Sequence, residues 1–188
     1  ERERAWVFYL LGLLGLCSTV GEGAAADWGA VLLRDTWNDA PFVASLPYIM
    51  FSALMVAGRL SGDRLTDRRS REWVVRVGGL TAGIGLSAGL LIGGPVGISL
   101  GWALLGAGLS VAIPSVFSAA AQIANHRFVG HVSPSAAVAI VGTVSYAGFL
   151  GGPPLLGFLA DAVGLRWAML VPAVLALAMG ATARLVRD

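Results

Sequence analysis

Charged residues are scarce in this sequence of 188 residues, and that scarcity excludes an ordinary water-soluble fold. Only 13% of the residues are charged, compared with about 25% in a typical soluble domain. Hydrophobic residues make up 56% of the chain, and the mean hydropathy is +0.77. We therefore expect lipid, rather than water, to surround most of the chain.

Cysteine, histidine and lysine are rare or absent, and each absence argues against a class of chemistry. The single cysteine, Cys17, stands in an apolar run, so no disulfide can form within the chain and thiol chemistry is not expected. The two histidines, His126 and His131, have a spacing that does not place two metal ligands on one helix face. No glycine-rich phosphate loop ending in lysine occurs, which argues against a nucleotide-driven mechanism. We expect neither a metal nor a cofactor.

Long apolar runs dominate the sequence, and they predict six membrane-spanning helices. A span needs roughly 20 apolar residues, about 30 Å of helix. The run from Val77 to Asn125 would measure roughly 70 Å as one helix, so it must fold back, and Gly93-Gly94-Pro95 is its strongest turn signal. The predicted spans are about 5–33, 41–60, 73–92, 96–124, 134–160 and 165–183.

The basic residues, all of them arginine, are unevenly distributed between the two ends of these spans. Eleven fall on the side that carries both termini, and only Arg34 and Arg166 fall on the other side. The positive-inside rule therefore predicts that both termini are cytoplasmic. The chain begins at Glu1 with a polar Glu-Arg-Glu-Arg segment that is no signal peptide. We interpret it as the end of a linker and expect the sequence to be a fragment.

Two short segments, three spans apart, resemble each other. Residues 58–63 (Gly-Arg-Leu-Ser-Gly-Asp) end the second predicted span, and residues 157–161 (Gly-Phe-Leu-Ala-Asp) end the fifth. The predicted topology puts these segments on opposite sides of the membrane. This arrangement indicates an inverted repeat of three plus three helices, a design typical of transporters with a solute site near the middle of the membrane.

The segment 58–69 resembles the cytoplasmic loop signature of the major facilitator superfamily. The usual form is Gly, three residues, Asp-Arg, one residue, Gly, and then basic residues. Here Asp63-Arg64 and Arg68-Arg69 match, whereas Arg59 and Thr66 replace the two glycines. Segments 21–28, 106–118 and 146–154 further resemble fucose-permease-like and drug-exporter-like bacterial members.

The resemblance implies an all-α membrane protein, with residues 1–188 forming the C-terminal six-helix half of the superfamily fold. It implies a multi-pass protein of the bacterial cytoplasmic membrane that moves a small solute by alternating access. The expected partners are that solute, the lipid bilayer and a missing N-terminal half, and no nucleic acid. In the family, the loop stabilises the outward-open state, which makes these residues candidates for gating: Gly58, Arg59, Gly62, Asp63, Arg64 and Arg68. The alternative is a basic loop that only sets topology.

Glu22 is an acidic residue inside the first predicted span, toward its outer face. A charge in the membrane is costly and is a functional hypothesis by default. Glu22 is therefore a candidate carrier of a coupling proton or a substrate ligand. The alternative is a buried acid that bonds a neighbouring helix. Asp27 is a second candidate, but it lies nearer the interface, where a structural role is favoured.

Ser115, Ser118 and Gln122 share one helical face of the fourth predicted span. This face either lines a solute cavity or forms hydrogen bonds between helices. Tyr146, in the fifth span, presents the same two alternatives.

Two other classes of protein remain as alternatives to half of a transporter. The first is a complete six-helix channel or a homodimeric carrier, which would need no missing half. The second is an intramembrane enzyme, which needs a base beside a nucleophile. Ser110 and Ser115 lie within a span, but both histidines lie in a loop. We therefore predict no enzyme activity and no catalytic residues.

Overall fold

The computed structural model describes residues 6–187, without the side chain of Asp63. The described chain is mostly helical, because a chain surrounded by lipid must satisfy its backbone hydrogen bonds internally. Short connections join the helices. The helices in chain order are α1 (Trp6–Trp37), α2 (Pro41–Arg68), α3 (Arg71–Ile92), α4 (Gly94–Leu109), α5 (Ala112–Arg127), α6 (Pro134–Val163), α7 (Leu165–Ala168) and α8 (Leu170–Ala181), and a 3-10 turn follows (Ala183–Val186).

Five helical segments of the described chain are long and apolar enough to cross a membrane. They are Trp6–Trp37, Pro41–Gly62, Arg71–Ile92, Gly94–Arg127 and Pro134–Val163. A sixth apolar segment, Leu165–Ala181, is shorter. The prediction of an all-helical membrane protein is confirmed at this level. The reversal between α3 and α4 occurs at Gly93 and Gly94, whose φ angles of 73° and 65° favour glycine.

Contacts between helix ends define two ends of the bundle. The first residue of α3, Arg71, donates a hydrogen bond to Gln122 near the end of α5. Phe8, in the first turns of α1, contacts Phe128 just after α5, with ring centroids 5.4 Å apart. We call this the α2–α3 end. At the opposite end, Arg166 donates to the carbonyls of Leu90 and Leu91. These carbonyls of the last turn of α3 have no partner within the helix, and Arg166 supplies one.

The structure corrects the prediction of a long loop after the second span. We expected a loop between residues 61 and 72, but α2 continues to Arg68 and only residues 69 and 70 separate it from α3. No proline or glycine pair interrupts the segment, and arginine and leucine are good helix formers. Hydroxyl groups reinforce its last turns, because Ser61 donates to the Ala57 carbonyl and Thr66 to the Gly62 carbonyl.

Proline interrupts two of the crossings. Pro114 follows the break between α4 and α5, and Pro172 follows the break between α7 and α8. A proline has no backbone N–H, so the carbonyl four residues earlier, that of Ser110 or Ala168, loses its helical partner. The fourth and sixth predicted spans are therefore each divided into two shorter helices.

Packing is closest around α1 and α4, whereas α2 and α6 bury the smallest share of their surface. α1 packs against α6, α2 and α8, and α4 packs against α2 and α3. Large apolar side chains of the two outer helices are exposed, including Leu60 (78%) and Leu150 (82%). This distribution fits helices whose outer faces contact lipid or a further protein segment.

Candidate functional site

Two glycines of α2 allow that helix to lie directly against the break between α4 and α5. A Cβ atom on Gly58 would collide with the Ser110 side chain, and one on Gly62 would lie 3.0 Å from Cγ1 of Val111. These glycines are four residues apart and therefore share one face of α2. They belong to the segment predicted to act in gating, and in the structure both lie where α2 approaches the break most closely.

A cleft of about 310 Å³ opens beside this contact, between the last turns of α2 and the first turns of α5. It extends from the helix break, near the middle of the Gly94–Arg127 crossing, to the α2–α3 connection. Its polar lining includes Arg59, Asp67, Arg69, Arg71, Ser115 and Ser118. Three arginines and one acidic residue, Asp67, are thus among the described residues that line the cleft.

Glu22 lies near the middle of α1 and forms an ion pair with α2. Oε2 of Glu22 lies 3.3 Å from Nη2 of Arg59, and the hydroxyl of Ser18, one turn earlier on α1, donates to Oε1 at 3.2 Å. The Glu22 side chain is 15% exposed and that of Arg59 is 49% exposed. The pair offsets the cost of placing either charge within an apolar bundle.

The position of Arg59 corrects the sequence-based prediction. Arg59 was assigned to a cytoplasmic loop, whereas Glu22 was placed inside the membrane toward the outer face. The structure puts Arg59 inside α2 and within reach of Glu22. The reason is that α2 runs two turns beyond the expected boundary, so its first arginine lies well before the helix end.

The remaining candidates are not all near this pair. Ser115 is buried in the wall of the cleft, and Ser118 lines it beside Ser115. Gln122 lies beyond it, where its side-chain oxygen accepts a hydrogen bond from Nη1 of Arg71 at 2.7 Å. Gln122 borders a separate recess of about 160 Å³.

One acidic candidate, Asp27, and one aromatic candidate, Tyr146, lie on exposed surfaces. Asp27 is exposed and forms no hydrogen bond or ion pair with another residue that the structure describes. Tyr146 is 54% exposed on α6 and stacks on Phe149, with ring centroids 6.0 Å apart. Neither side chain lines the cleft. Of the gating candidates, Arg64 and Arg68 are exposed, and the side chain of Asp63 lies outside the described part of the chain.

Several polar groups of the site were not singled out from the sequence. Ser18 was missed, although its spacing of four residues from Glu22 on one helix was a usable signal. Arg69 and Arg71 were counted only as topology charges. Glu72, which lies outside the lining of the cleft, was not singled out either; one of its oxygens lies 2.7 Å from Nη2 of Arg76.

Comparison with known proteins decides the family. The model of the Major Facilitator Superfamily matches residues 11–188. The chain belongs to the Major Facilitator Superfamily. The family predicted from the motif is therefore confirmed, whereas the resemblance to the fucose-permease-like and drug-exporter-like branches stays a prediction.

Curated relatives from bacteria agree with this membership. The chain is 35% identical over 161 residues to membrane protein MosC of Rhizobium meliloti, covering 86% of this chain and 38% of MosC. It is 34% identical over 184 residues to an uncharacterized MFS-type transporter of Yersinia pestis, covering 97% of this chain and 46% of the relative. An uncharacterized transporter of Sinorhizobium fredii is 35% identical over 160 residues, 84% of this chain and 40% of that protein. The chain thus spans less than half the length of these relatives. No solved structure matches it significantly.

Proposed function

We propose that this chain is the C-terminal half of a secondary active transporter that moves a small solute by alternating access. Family membership and the roughly double length of the relatives support this proposal. In the proposed arrangement, six crossings form two inverted repeats of three, and a preceding six-helix half completes the solute pathway.

We place this transporter in the bacterial cytoplasmic membrane with both termini in the cytoplasm. The distribution of arginine supports that orientation. Arg59 lies inside α2 and no longer counts as a loop charge, but ten arginines against two still favour the same side. The α2–α3 end is then the cytoplasmic end.

The ion pair between Glu22 and Arg59 carries the proposal of proton coupling. When Glu22 is ionised, the pair is neutral as a whole, which suits its apolar surroundings. When Glu22 takes up a proton, it no longer needs a counter-charge, and Arg59 is released. One acid on α1 can therefore change the contact between α1 and α2 as its access to the two sides alternates.

In this proposal, gating by the α2–α3 region consists of a movement of α2 against α5. Gly58 and Gly62 hold α2 against the break between α4 and α5. A change in the Glu22–Arg59 contact would act on the same helix, close to the same contact. Movement of α2 against α5 would open or close the cleft between them, so the cleft is the part of this chain that we expect to differ between access states.

The test uses the full-length transporter in proteoliposomes and the solute identified from a panel of labelled small metabolites. In the variant Glu22→Gln, accumulation driven by a pH gradient should fall to background, because position 22 can no longer exchange a proton. Solute exchange at equilibrium should persist, since it requires no net proton movement.

The matched control is Glu72→Gln, which neutralises another acid paired with arginine, in the first turn of α3. Both accumulation and exchange should remain in this control. Accumulation that stays dependent on the pH gradient in Glu22→Gln would remove Glu22 from the coupling mechanism.

A further inference from the structure

We propose that the cleft between α2 and α5 binds an oxyanion group of the transported solute, a carboxylate or a phosphate, with Arg59 as its main charge partner. This inference rests on the proposed transport function and adds a substrate class to it. Four features of the cleft support the inference.

The first feature is the charge and size of the cleft. Its lining includes the residues Arg59, Arg69 and Arg71, and Asp67 is the one acidic residue among its described lining residues. The guanidinium group of Arg71 also donates to Gln122, and that of Arg69 lies 5.2 Å from the centroid of the Trp73 ring. Arginine binds carboxylate and phosphate through two parallel N–H bonds. The volume of about 310 Å³ fits the lower end of the range of small-molecule sites.

The second feature is a serine hydroxyl that opens onto the cleft. Ser115 is 4% exposed, lines the cleft, and forms no side-chain hydrogen bond with another described residue. By contrast, Ser110 on the same crossing donates to the carbonyl of Ala107 at 2.7 Å. This hydroxyl is a hydrogen-bond donor at the wall of the cleft, and an oxyanion in the cleft would accept a hydrogen bond from it.

The third feature is the first turn of α5, which borders the cleft. Because the crossing breaks before Ala112, the 16-residue helix α5 begins inside the bundle, where Ala112 and Ile113 carry backbone N–H groups and Pro114 carries none. Val111 and Pro114 at this terminus line the cleft. The start of a half-helix within a membrane protein favours an anionic group.

The fourth feature is that Arg59 serves both the cleft and the ion pair. Its guanidinium lies 3.3 Å from Glu22, and Arg59 is also one of the residues that line the cleft. Protonation of Glu22 would therefore release Arg59 to the anion, and loss of the proton would return it to Glu22. One proton and one anionic group would then move together, so that a monovalent anion carries no net charge across the membrane.

The depth of the cleft favours a solute over a lipid headgroup. Both can supply the same oxyanion chemistry. Arg59 and Ser110 line the inner part of the cleft, and Ser110 lies at the middle of the Gly94–Arg127 crossing. A lipid headgroup stays at the interface, roughly 15 Å from the bilayer centre. We therefore assign the cleft to the solute.

The test measures equilibrium binding of radiolabelled sulfate, phosphate and succinate to the full-length transporter in phosphatidylcholine nanodiscs. At least one of these probes should bind saturably at millimolar concentrations. Arg59→Gln should weaken its binding about tenfold, which corresponds to the loss of one good charge-assisted contact. Ser115→Ala should weaken it by a smaller factor.

The variant Glu22→Gln gives the sharpest result, because it should strengthen anion binding by releasing Arg59. A pair that serves only the fold would lower binding in both single variants. Arg34→Gln is the matched control, because Arg34 is an exposed arginine in the last turn of α1, away from the cleft. Anion binding should be unchanged in this variant. The neutral double variant Glu22→Gln/Arg59→Gln removes the unpaired charge and should fold, and it should bind the anion about as weakly as Arg59→Gln does.

Two outcomes overturn the inference. The first is the absence of saturable binding of all three probes, or binding that Arg59→Gln leaves unchanged. The second is binding that disappears when the nanodiscs contain phosphatidylglycerol, because the cleft then belongs to a lipid headgroup.

These failures are separate from a failure of the proposed function. Transport that depends on Glu22 without any anion binding would leave the proton-coupled transporter standing and remove only the substrate class. Anion binding that responds to Arg59→Gln and Glu22→Gln as expected, without proton-coupled transport, would keep the anion site and remove the proposed proton coupling.

Discussion

Helix α1 has two interfaces of opposite character. Toward α6 it presents Gly12, Gly15 and Thr19, and the contact is so close that a Cβ atom on Gly15 would collide with Ser145. Hydroxyl groups there bond to backbone, since Ser145 donates to the carbonyl of Gly12 at 3.3 Å. Toward α2, by contrast, the polar contact is the ion pair between Glu22 and a half-exposed arginine beside an open cleft.

The difference separates a fixed contact from a switchable one. Small residues allow helix backbones in lipid to approach, and hydrogen bonds between them depend on no ionisation state. The seam between α1 and α6 therefore stays the same whatever the proton does. The contact between α1 and α2 depends on the charge of one carboxylate, so it can change when that group gains a proton. We expect the first interface to determine stability and the second to determine transport.

The largest expected effect on stability comes from crowding the seam. Gly15→Ala puts a methyl group against the side chain of Ser145, and overpacking of a close contact typically costs about 1–3 kcal/mol. The control is Gly151→Ala on α6, where a Cβ atom has nothing within 4 Å. Thermal unfolding of the purified full-length protein measures the difference. Equal melting temperatures for the two variants would show that the seam is loose.

The next effect comes from removing one charge of the ion pair. Arg59→Gln leaves the Glu22 carboxylate, which is 15% exposed, without its counter-charge, and we expect a loss of about 1–3 kcal/mol. The double variant Glu22→Gln/Arg59→Gln should recover most of this loss, because no buried charge then remains unpaired.

The same variant should respond to pH. Protonated Glu22 needs no counter-charge, so the penalty of Arg59→Gln should shrink as pH falls and grow as pH rises. Melting temperatures of Arg59→Gln and of the unaltered protein, compared at acid and at mildly alkaline pH, test this. A gap between them that does not change with pH would mean that Glu22 stays in one protonation state throughout.

The two interfaces also differ in how far the sequence could predict them. Hydropathy and the rarity of acids in spans were enough to single out Glu22 as a candidate, because an acidic residue in an apolar run is visible in the sequence without knowledge of its partner. Its partner was not predictable, since the first arginine after an apolar run was interpreted as the end of a span. In fact α2 continues for nine residues beyond Arg59.

The seam was missed for a different reason. Glycine is abundant throughout the chain, at 26 of 188 residues, so spacing alone does not show which glycines face another helix. Gly15 and Ser145 are far apart in sequence, and only the packing of α1 on α6 brings them together. The break before α5 had a signal in Pro114, but proline alone does not say whether a helix bends or ends, as the uninterrupted helix around Pro47 shows.

The smallest effect should come from one hydrogen bond in the seam. Thr19 of α1 donates to the backbone carbonyl of Ser145 on α6, and Thr19→Val keeps the shape while removing that bond. Hydrogen bonds between membrane helices contribute about 0.6 kcal/mol on average. The control is Thr143→Val, whose hydroxyl bonds only within α6, to the carbonyl of Ala139. Thr19→Val should therefore lower the melting temperature slightly more than its control, while accumulation driven by a pH gradient stays unchanged. A loss of that accumulation with little loss of stability would mean that the seam takes part in the transport cycle, and the division of α1 into a fixed and a switchable side would be wrong.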